Sequence, residues 1–329
     1  MNFEHYQASM DAELRTGFVQ MLARSGSTPG KPPGPSSLVA RRQQVAAFAA
    51  AARRHLPPND RVTSEDRRIP GPGGAPDVPV RIYIPLPKKE TMPAILWLHG
   101  GSFTLGKLDQ DEATCQRLAE EIGGAVVSVE YRLAPEHPFP AALEDGYAAL
   151  RWMATSAAEL GINSGRIAVA GVSSGEGLAA AVAILARDRQ EVKLAFCLLI
   201  YPALDDRLRT PSSHEIAEPS MIGNREELVQ GWKAYLGSEQ QGDTPAYAAP
   251  ARAVHVAGLP PSYIMTGELD AVRDESIAYA MRLMQAAIPT ELHVYPGAFH
   301  GFEKMVPTAA ISKRATAEYI AALRQALDG

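Results

Sequence analysis

The pentapeptide Gly171-Val172-Ser173-Ser174-Gly175 offers the clearest chemistry in this chain. The apolar run Arg166–Ala170 before it reads as a buried strand, and Leu178–Ala186 after it reads as a helix. Strand, tight turn and helix in that order make a nucleophile elbow. Small residues at Gly171 and Gly175 let the chain turn sharply enough to lift a serine hydroxyl clear of the backbone. Ser173, so placed, attacks a carbonyl carbon once a base takes its proton. Alone, the pattern is a modest signal, because glycine–serine clusters are common in loops. Its weight comes from the parts that follow along the chain.

The base is expected at His300, in Gly297-Ala-Phe-His-Gly-Phe302, directly after the last predicted strand. A neutral imidazole takes the serine proton and later returns it to the leaving alkoxide. The orienting acid is expected at Asp270, which follows the predicted strand Tyr263–Met265. A carboxylate there accepts the second imidazole N–H and stabilises the imidazolium. Glu268 and Asp274 compete for that role. Asp274 is better accounted for as the N-cap of the next helix, and Glu268 comes earlier in the turn. The order Ser173, Asp270, His300 matches the order described for α/β-hydrolases.

Attack on an ester builds negative charge on the carbonyl oxygen. Preorganised backbone donors are worth about 3 kcal/mol each in other hydrolases. Ser174 N–H, at the helix start, is one expected donor; Gly100, Gly101 and Ser102, after the strand Ala94–Leu98, supply the others.

These segments together resemble the bacterial hormone-sensitive-lipase-like esterases (family IV) of the α/β-hydrolase superfamily. The resemblance rests on His99-Gly-Gly, Glu130-Tyr-Arg-Leu-Ala-Pro-Glu-His-Pro-Phe-Pro140, the elbow, Gly267-Glu-Leu-Asp-Ala-Val-Arg-Asp-Glu275 and His300-Gly-Phe302. It implies hydrolysis of short- to medium-chain acyl esters, no cofactor, and a homodimer through the last strand and a nearby helix; the cysteines and eight histidines show no clustered metal-ligand spacing, so no metal is expected. Tyr131, Arg132, Glu136 and Asp145 also match, and are expected to pin the loop behind the elbow.

Two departures stand out. Serine occupies the last position of the family's H-G-G-G, at Ser102, and still supplies a backbone N–H. The elbow reads Gly171-Val-Ser-Ser-Gly-Glu176 where the family has G-D-S-A-G-G. Glu176 stands where a small residue is usual. Either it finds a polar gap near the acyl site, or it distorts the elbow and lowers activity. The second outcome leaves room for a non-catalytic small-molecule-binding relative. An acyltransferase or amidase is a further alternative, since the same triad serves either.

The elements that must position these residues follow from patterning. Val78–Ile84 alternates like a strand, and Ala94–Leu98, Ala125–Val129, Ile167–Ala170, Leu194–Ile200 and Tyr263–Met265 are short apolar runs. Glu291–Tyr295 is the last predicted strand. Helical stretches at about 111–122, 140–160, 176–188, 274–287 and 309–327 alternate with them. This predicts the α/β-hydrolase fold: a mostly parallel central sheet flanked by helices. Residues 1–60 read as an N-terminal helical cap segment, with a Pro/Gly/Ser-rich break at 30–37. Residues 61–329 read as the catalytic domain, with a cap insertion at about 205–245.

At 329 residues, 46% hydrophobic and 21% charged, the composition is that of a soluble globular protein. A net charge of -5 argues against nucleic acid as partner. No apolar run is long enough to span a bilayer, and the first residues lack a secretion-signal pattern. With Cys115 and Cys197 expected as free buried thiols, the expected location is cytoplasmic. The expected partner is a small-molecule ester.

Overall fold

A computed structural model describes residues 3–25, 37–217, 220–237 and 244–328. Most of the predicted break at 30–37 lies outside these residues. One eight-stranded sheet organises the chain: β1 (Val62–Ile69), β2 (Val78–Pro85), β3 (Met92–Leu98), β4 (Ala125–Val129), β5 (Ile162–Gly171), β6 (Phe196–Ile200), β7 (Ser262–Leu269) and β8 (Thr290–Phe299). The spatial order is β1-β2-β4-β3-β5-β6-β7-β8. β1 pairs antiparallel with β2, and β2 with β4; all other neighbours run parallel.

The central strands are continuous apolar runs because helices cover them; every residue of β3, β4 and β6 is buried. The helix Ser174–Arg189 is buried throughout its first thirteen positions, Ser174 to Ala186, which its alanines and glycines permit. It packs on Ala141–Thr155, while Glu112–Ile122 packs on Ala310–Leu327, so two helix pairs lie against the strands.

β1 is absent from the sequence reading. Its residues, Val-Thr-Ser-Glu-Asp-Arg-Arg-Ile, bury only the two ends. An edge strand with so little buried surface carries no apolar alternation. Its charges pair instead, Asp66 with Arg81 of β2 and Arg67 with Glu65 and Glu159. β8 runs four residues past the predicted end, as far as Phe299, so that His300 follows the strand directly.

Parallel strands place the loops after β3, β5, β6, β7 and β8 along one sheet edge, where ligands bind in such folds. The N-terminal helices reach that edge. Tyr6 hydroxyl donates to Leu269 O at 2.7 Å, Asp11 N–H to Gly297 O at 3.0 Å, and Phe18 packs on Phe299. The helix Leu38–His55 is capped by Ser37. Its Arg42 donates to Thr104 O and Ala134 O and pairs with Glu136, and its Arg41 pairs with Glu227 at 3.0 Å. Glu227 lies on the helix Arg225–Leu236, capped by Asn224, inside the predicted insertion. Cys115 and Cys197 are both free and buried.

Candidate active site

The elbow forms where β5 ends. Ser173 sits at φ 58°, ψ -121°, a conformation costly for a residue with a side chain and sustained only by its surroundings. Glycine is required on both sides. A Cβ on Gly171 would stand 2.5 Å from Leu98 O, and one on Gly175 2.1 Å from the same oxygen. Ser173 N–H donates to Ile200 O at 3.3 Å, and Ser173 O accepts from Ala203 N–H at 3.4 Å. β6 and the loop after it therefore hold the serine backbone on one side.

His300 Nε2 lies 2.9 Å from Ser173 Oγ, and His300 Nδ1 lies 2.9 Å from Asp270 Oδ2. With the proton on Nδ1 donated to Asp270, Nε2 accepts the serine hydroxyl. Asp270 is fully buried and His300 is 5% exposed. The remaining Asp270 oxygen accepts from Val272 N–H at 3.1 Å, which fixes the carboxylate. Burial disfavours the imidazolium, but the charge and hydrogen bond of Asp270 outweigh it, and the His300 pKa rises above its ordinary 6.5.

The rivals are engaged elsewhere. Glu268 accepts from Gly297 N–H at 2.8 Å. Asp274 does not cap its helix as the sequence suggested. The helix Arg273–Gln285 starts before it, and its carboxylate accepts from Ser212 N–H at 2.7 Å, tying the insertion to this helix.

After β3 the chain turns through Gly101 (φ 132°), Ser102 (φ 51°) and Phe103 (φ 61°). Phe103 N–H donates to Ser174 Oγ at 3.2 Å, joining this loop to the elbow. Among the described residues, no backbone carbonyl accepts from the N–H of Gly100, Gly101, Ser102 or Ser174 outside regular helix and strand bonding. Tyr131 hydroxyl donates to His99 O at 2.6 Å and its ring stacks on His99 at 4.2 Å. Arg132 grips Asp145 with two nitrogens. Glu136 instead holds Arg42 of the N-terminal helix, so it anchors that helix rather than the elbow.

Glu176 is completely buried, and its Oε2 has no hydrogen-bond partner among the described residues. Its Oε1 accepts from Ile200 N–H, a strand donor exposed where β5 leaves the sheet to form the elbow. The helix also runs close to the loop after β6: a Cβ on Gly177 would stand 2.3 Å from Ala203 O. Burial, then the Glu303 and Asp270 charges, push the Glu176 carboxyl well above the usual carboxylate range. Two more buried acids hold the loop after β6. Glu303 accepts from Tyr201 hydroxyl at 2.7 Å, and Glu275 accepts from Leu204 N–H at 2.7 Å. Neither Tyr201 nor Glu303 was singled out from sequence, although one directly follows a strand and the other lies three residues past His300.

A narrow cavity of about 10 Å³ adjoins the serine. Ser102, Phe103, Ser173, Ser174, Ala203, Leu228, Gly231 and Trp232 line it. A wider surface groove around Gly73, His137 and Glu144 holds none of Ser173, Asp270 and His300.

Residues 95–304 match a family described by the α/β hydrolase fold. The chain belongs to that family, in its hormone-sensitive-lipase-like branch. The enzyme is 38% identical to esterase LipI of Mycobacterium tuberculosis over 266 residues, 80% of this chain and 82% of the relative. It is 33% identical to ethyl acetate hydrolase of Pseudomonas putida over 231 residues, 69% of this chain and 72% of that one. A solved structure titled bacterial heroin esterase superposes with a TM-score of 0.90 at 40% identity, covering 97% of this chain and 98% of that one. The enzyme is a carboxylic ester hydrolase.

Proposed function

We propose that the enzyme is a serine carboxylesterase working through Ser173, His300 and Asp270 and an acyl-enzyme intermediate. The observation that carries this reading is the unbroken chain from Ser173 Oγ through the imidazole to Asp270, with 2.9 Å at each step. Ser173 Oγ attacks the ester carbonyl carbon as His300 Nε2 takes its proton. The oxyanion is met by the N–H groups of Gly100, Gly101, Ser102 and Ser174. The carbon–alkoxide bond breaks, and the imidazolium gives its proton to the departing alcohol. Water then attacks the acyl carbon, His300 takes a water proton, and the acid leaves as Ser173 Oγ regains its proton.

Small acyl groups fit best. The cavity beside Ser173 is narrow, walled by Phe103, Leu228 and Trp232. The N-terminal segment and the insertion act as a cap, which the Arg41–Glu227 pair over this edge supports. The reading includes a homodimer through β8, an edge strand that carries exposed Val294, with exposed Met281 and Met284 on the helix before it. It also includes a cytoplasmic location, consistent with two unpaired cysteines. Among the described residues no helix is long and apolar enough to cross a membrane.

An ester panel of increasing acyl length, run on the wild type and Ser173→Ala, tests the reading. Turnover should fall with chain length and drop by roughly 10⁴-fold or more in the variant. Undiminished hydrolysis by Ser173→Ala, or an organophosphate label on Ser174 instead, overturns it.

A further inference from the structure

Two serines stand side by side in the elbow, and the proposed mechanism uses the hydroxyl of only one. Ser174 opens the helix Ser174–Arg189 and is 1% exposed. Its backbone N–H belongs to the proposed oxyanion donors, but its side chain is given no task there. Helix formation does not call for a hydroxyl at this position, since alanine is the better helix former. The hydroxyl is engaged elsewhere. Ser174 Oγ accepts from Phe103 N–H at 3.2 Å, in the loop after β3.

That loop needs holding. Gly101, Ser102 and Phe103 lie at φ 132°, 51° and 61° in succession. Glycine adopts positive φ freely, but Ser102 and Phe103 do so against a steric penalty. Such backbone persists only where its surroundings enforce it. The start of the loop lies against the nucleophile: a Cβ on Gly100 would stand 2.7 Å from Val172 O and 3.4 Å from Ser173 Cβ. Tyr131 hydroxyl fixes this start through His99 O, and Thr104 and Leu105 N–H close a turn onto Gly101 O at 3.0 and 2.9 Å. At the far end the Phe103 ring stacks on Tyr235 at 4.1 Å, and the Phe103 backbone is tied to the elbow by Ser174 Oγ.

We infer that the Ser174 side chain is a positioning residue: its hydroxyl latches Phe103 and so keeps the N–H groups of Gly100, Gly101 and Ser102 in place for the oxyanion. The inference rests on Ser173 as the nucleophile and on those oxyanion donors. Donors of this kind stabilise a transition state because they are held ready before charge develops. Without the latch, Ser102 and Phe103 are free to leave their left-handed conformation for part of the time. The ester still binds, but the charge that forms on its carbonyl oxygen meets fewer donors. The loss therefore falls on kcat far more than on KM.

Ser174→Ala tests this, because it removes the hydroxyl and keeps the backbone N–H. Rates are referred to active sites counted by organophosphate titration, so unfolded protein does not enter them. With ethyl butanoate, kcat should fall by about 10- to 100-fold while KM stays within about twofold of wild type. A trifluoromethyl ketone gives a second reading. Ser173 Oγ adds to its carbonyl carbon, the serine proton passes to His300, and the ketone oxygen becomes an oxyanion. Its affinity should fall by the same factor as kcat. Hydrogen exchange at the Phe103 amide, which loses its acceptor, should quicken. A kcat within about twofold of wild type, a fall in kcat with ketone affinity unchanged, or an unaltered Phe103 exchange rate overturns the inference. Failure of the nucleophile assignment would show separately, as turnover by Ser173→Ala.

Discussion

The Tyr201 hydroxyl donates to Glu303 at 2.7 Å while the Tyr201 ring lies 4.5 Å from the His300 ring, centroid to centroid. Glu303 thus fixes the aromatic wall against which the imidazole packs. Its own charge also favours the imidazolium, as do Asp270 and, more weakly, Glu227. Under the proposed mechanism the base is tuned by the acid it touches and by two that it does not.

Replacing Glu303 with glutamine keeps an oxygen for Tyr201 and removes the charge. His300 then gives up its proton more readily. The rising limb of kcat/KM against pH should move to lower pH, with kcat reduced up to about tenfold through weaker imidazolium stabilisation. A limb that stays in place would show that Glu303 is neutral throughout it.

The wild-type limb itself should lie above pH 6.5, since Asp270 raises the His300 pKa past that ordinary value. Activity needs the neutral imidazole, so it grows as pH rises through the limb. Asp270→Asn should lower kcat by about 10⁴-fold and shift the limb down, with KM changed little. Glu268→Gln should do far less, because Glu268 holds Gly297 N–H and not the histidine. The stability sign follows. His300 titrates higher folded than unfolded, so its pairing stabilises the fold fully below about pH 6.5 and is lost as pH rises through the folded value. The stability difference between wild type and Asp270→Asn should shrink across that window in urea titrations. A greater kinetic loss in Glu268→Gln than in Asp270→Asn would assign the acid wrongly.

Ser173, Asp270 and His300 were legible because each follows a predicted strand, and a parallel sheet puts all strand C-termini on one edge. The central strands were legible because burial on both faces demands unbroken apolar runs. β1 was not, since an edge strand of charged residues leaves no periodic signal. The fate of Glu176 was open in the sequence because it depends on one unpaired strand N–H, at Ile200, created by where β5 happens to end. Trp232 and Gly223 were invisible for a different reason. Their relation to the site is set by how the insertion folds back over the sheet, and nothing local records it.

Gly223 shows how tightly that insertion sits. Its φ is +71°, its N–H donates to Glu227 at 2.9 Å, and a Cβ there would stand 2.6 Å from the His300 ring. Gly223→Ala should cost about 1–2 kcal/mol for the left-handed conformation alone. It should also push the imidazole off line and lower kcat by about 10²-fold, as expected for a displacement near 1 Å. Melting curves and kinetics check both. Normal kcat in a destabilised variant would mean that the loop yields and His300 does not.

Glu176 provides the sharpest test of the elbow. Folded, its carboxyl titrates well above the ordinary 4.5, because burial and then the Glu303 and Asp270 charges oppose ionisation. A group raised in this way favours the fold most below its unfolded pKa, and that contribution is lost as pH rises through the folded value. Glu176→Gln cannot ionise but still offers Ile200 N–H an oxygen. Its stability relative to wild type should therefore climb as pH rises from about 5 toward the folded value. Glu176→Gly should behave differently. It leaves the Ile200 N–H without its acceptor and puts glycine inside a helix, so at about pH 5 it should be less stable than wild type by about 1–2 kcal/mol. Urea titrations of the three proteins across this range decide the matter. Parallel stability curves for wild type and Glu176→Gln would show that the carboxyl does not titrate as a buried acid. A glycine variant more stable than wild type at the acidic end would show that the Ile200 contact contributes nothing to the fold.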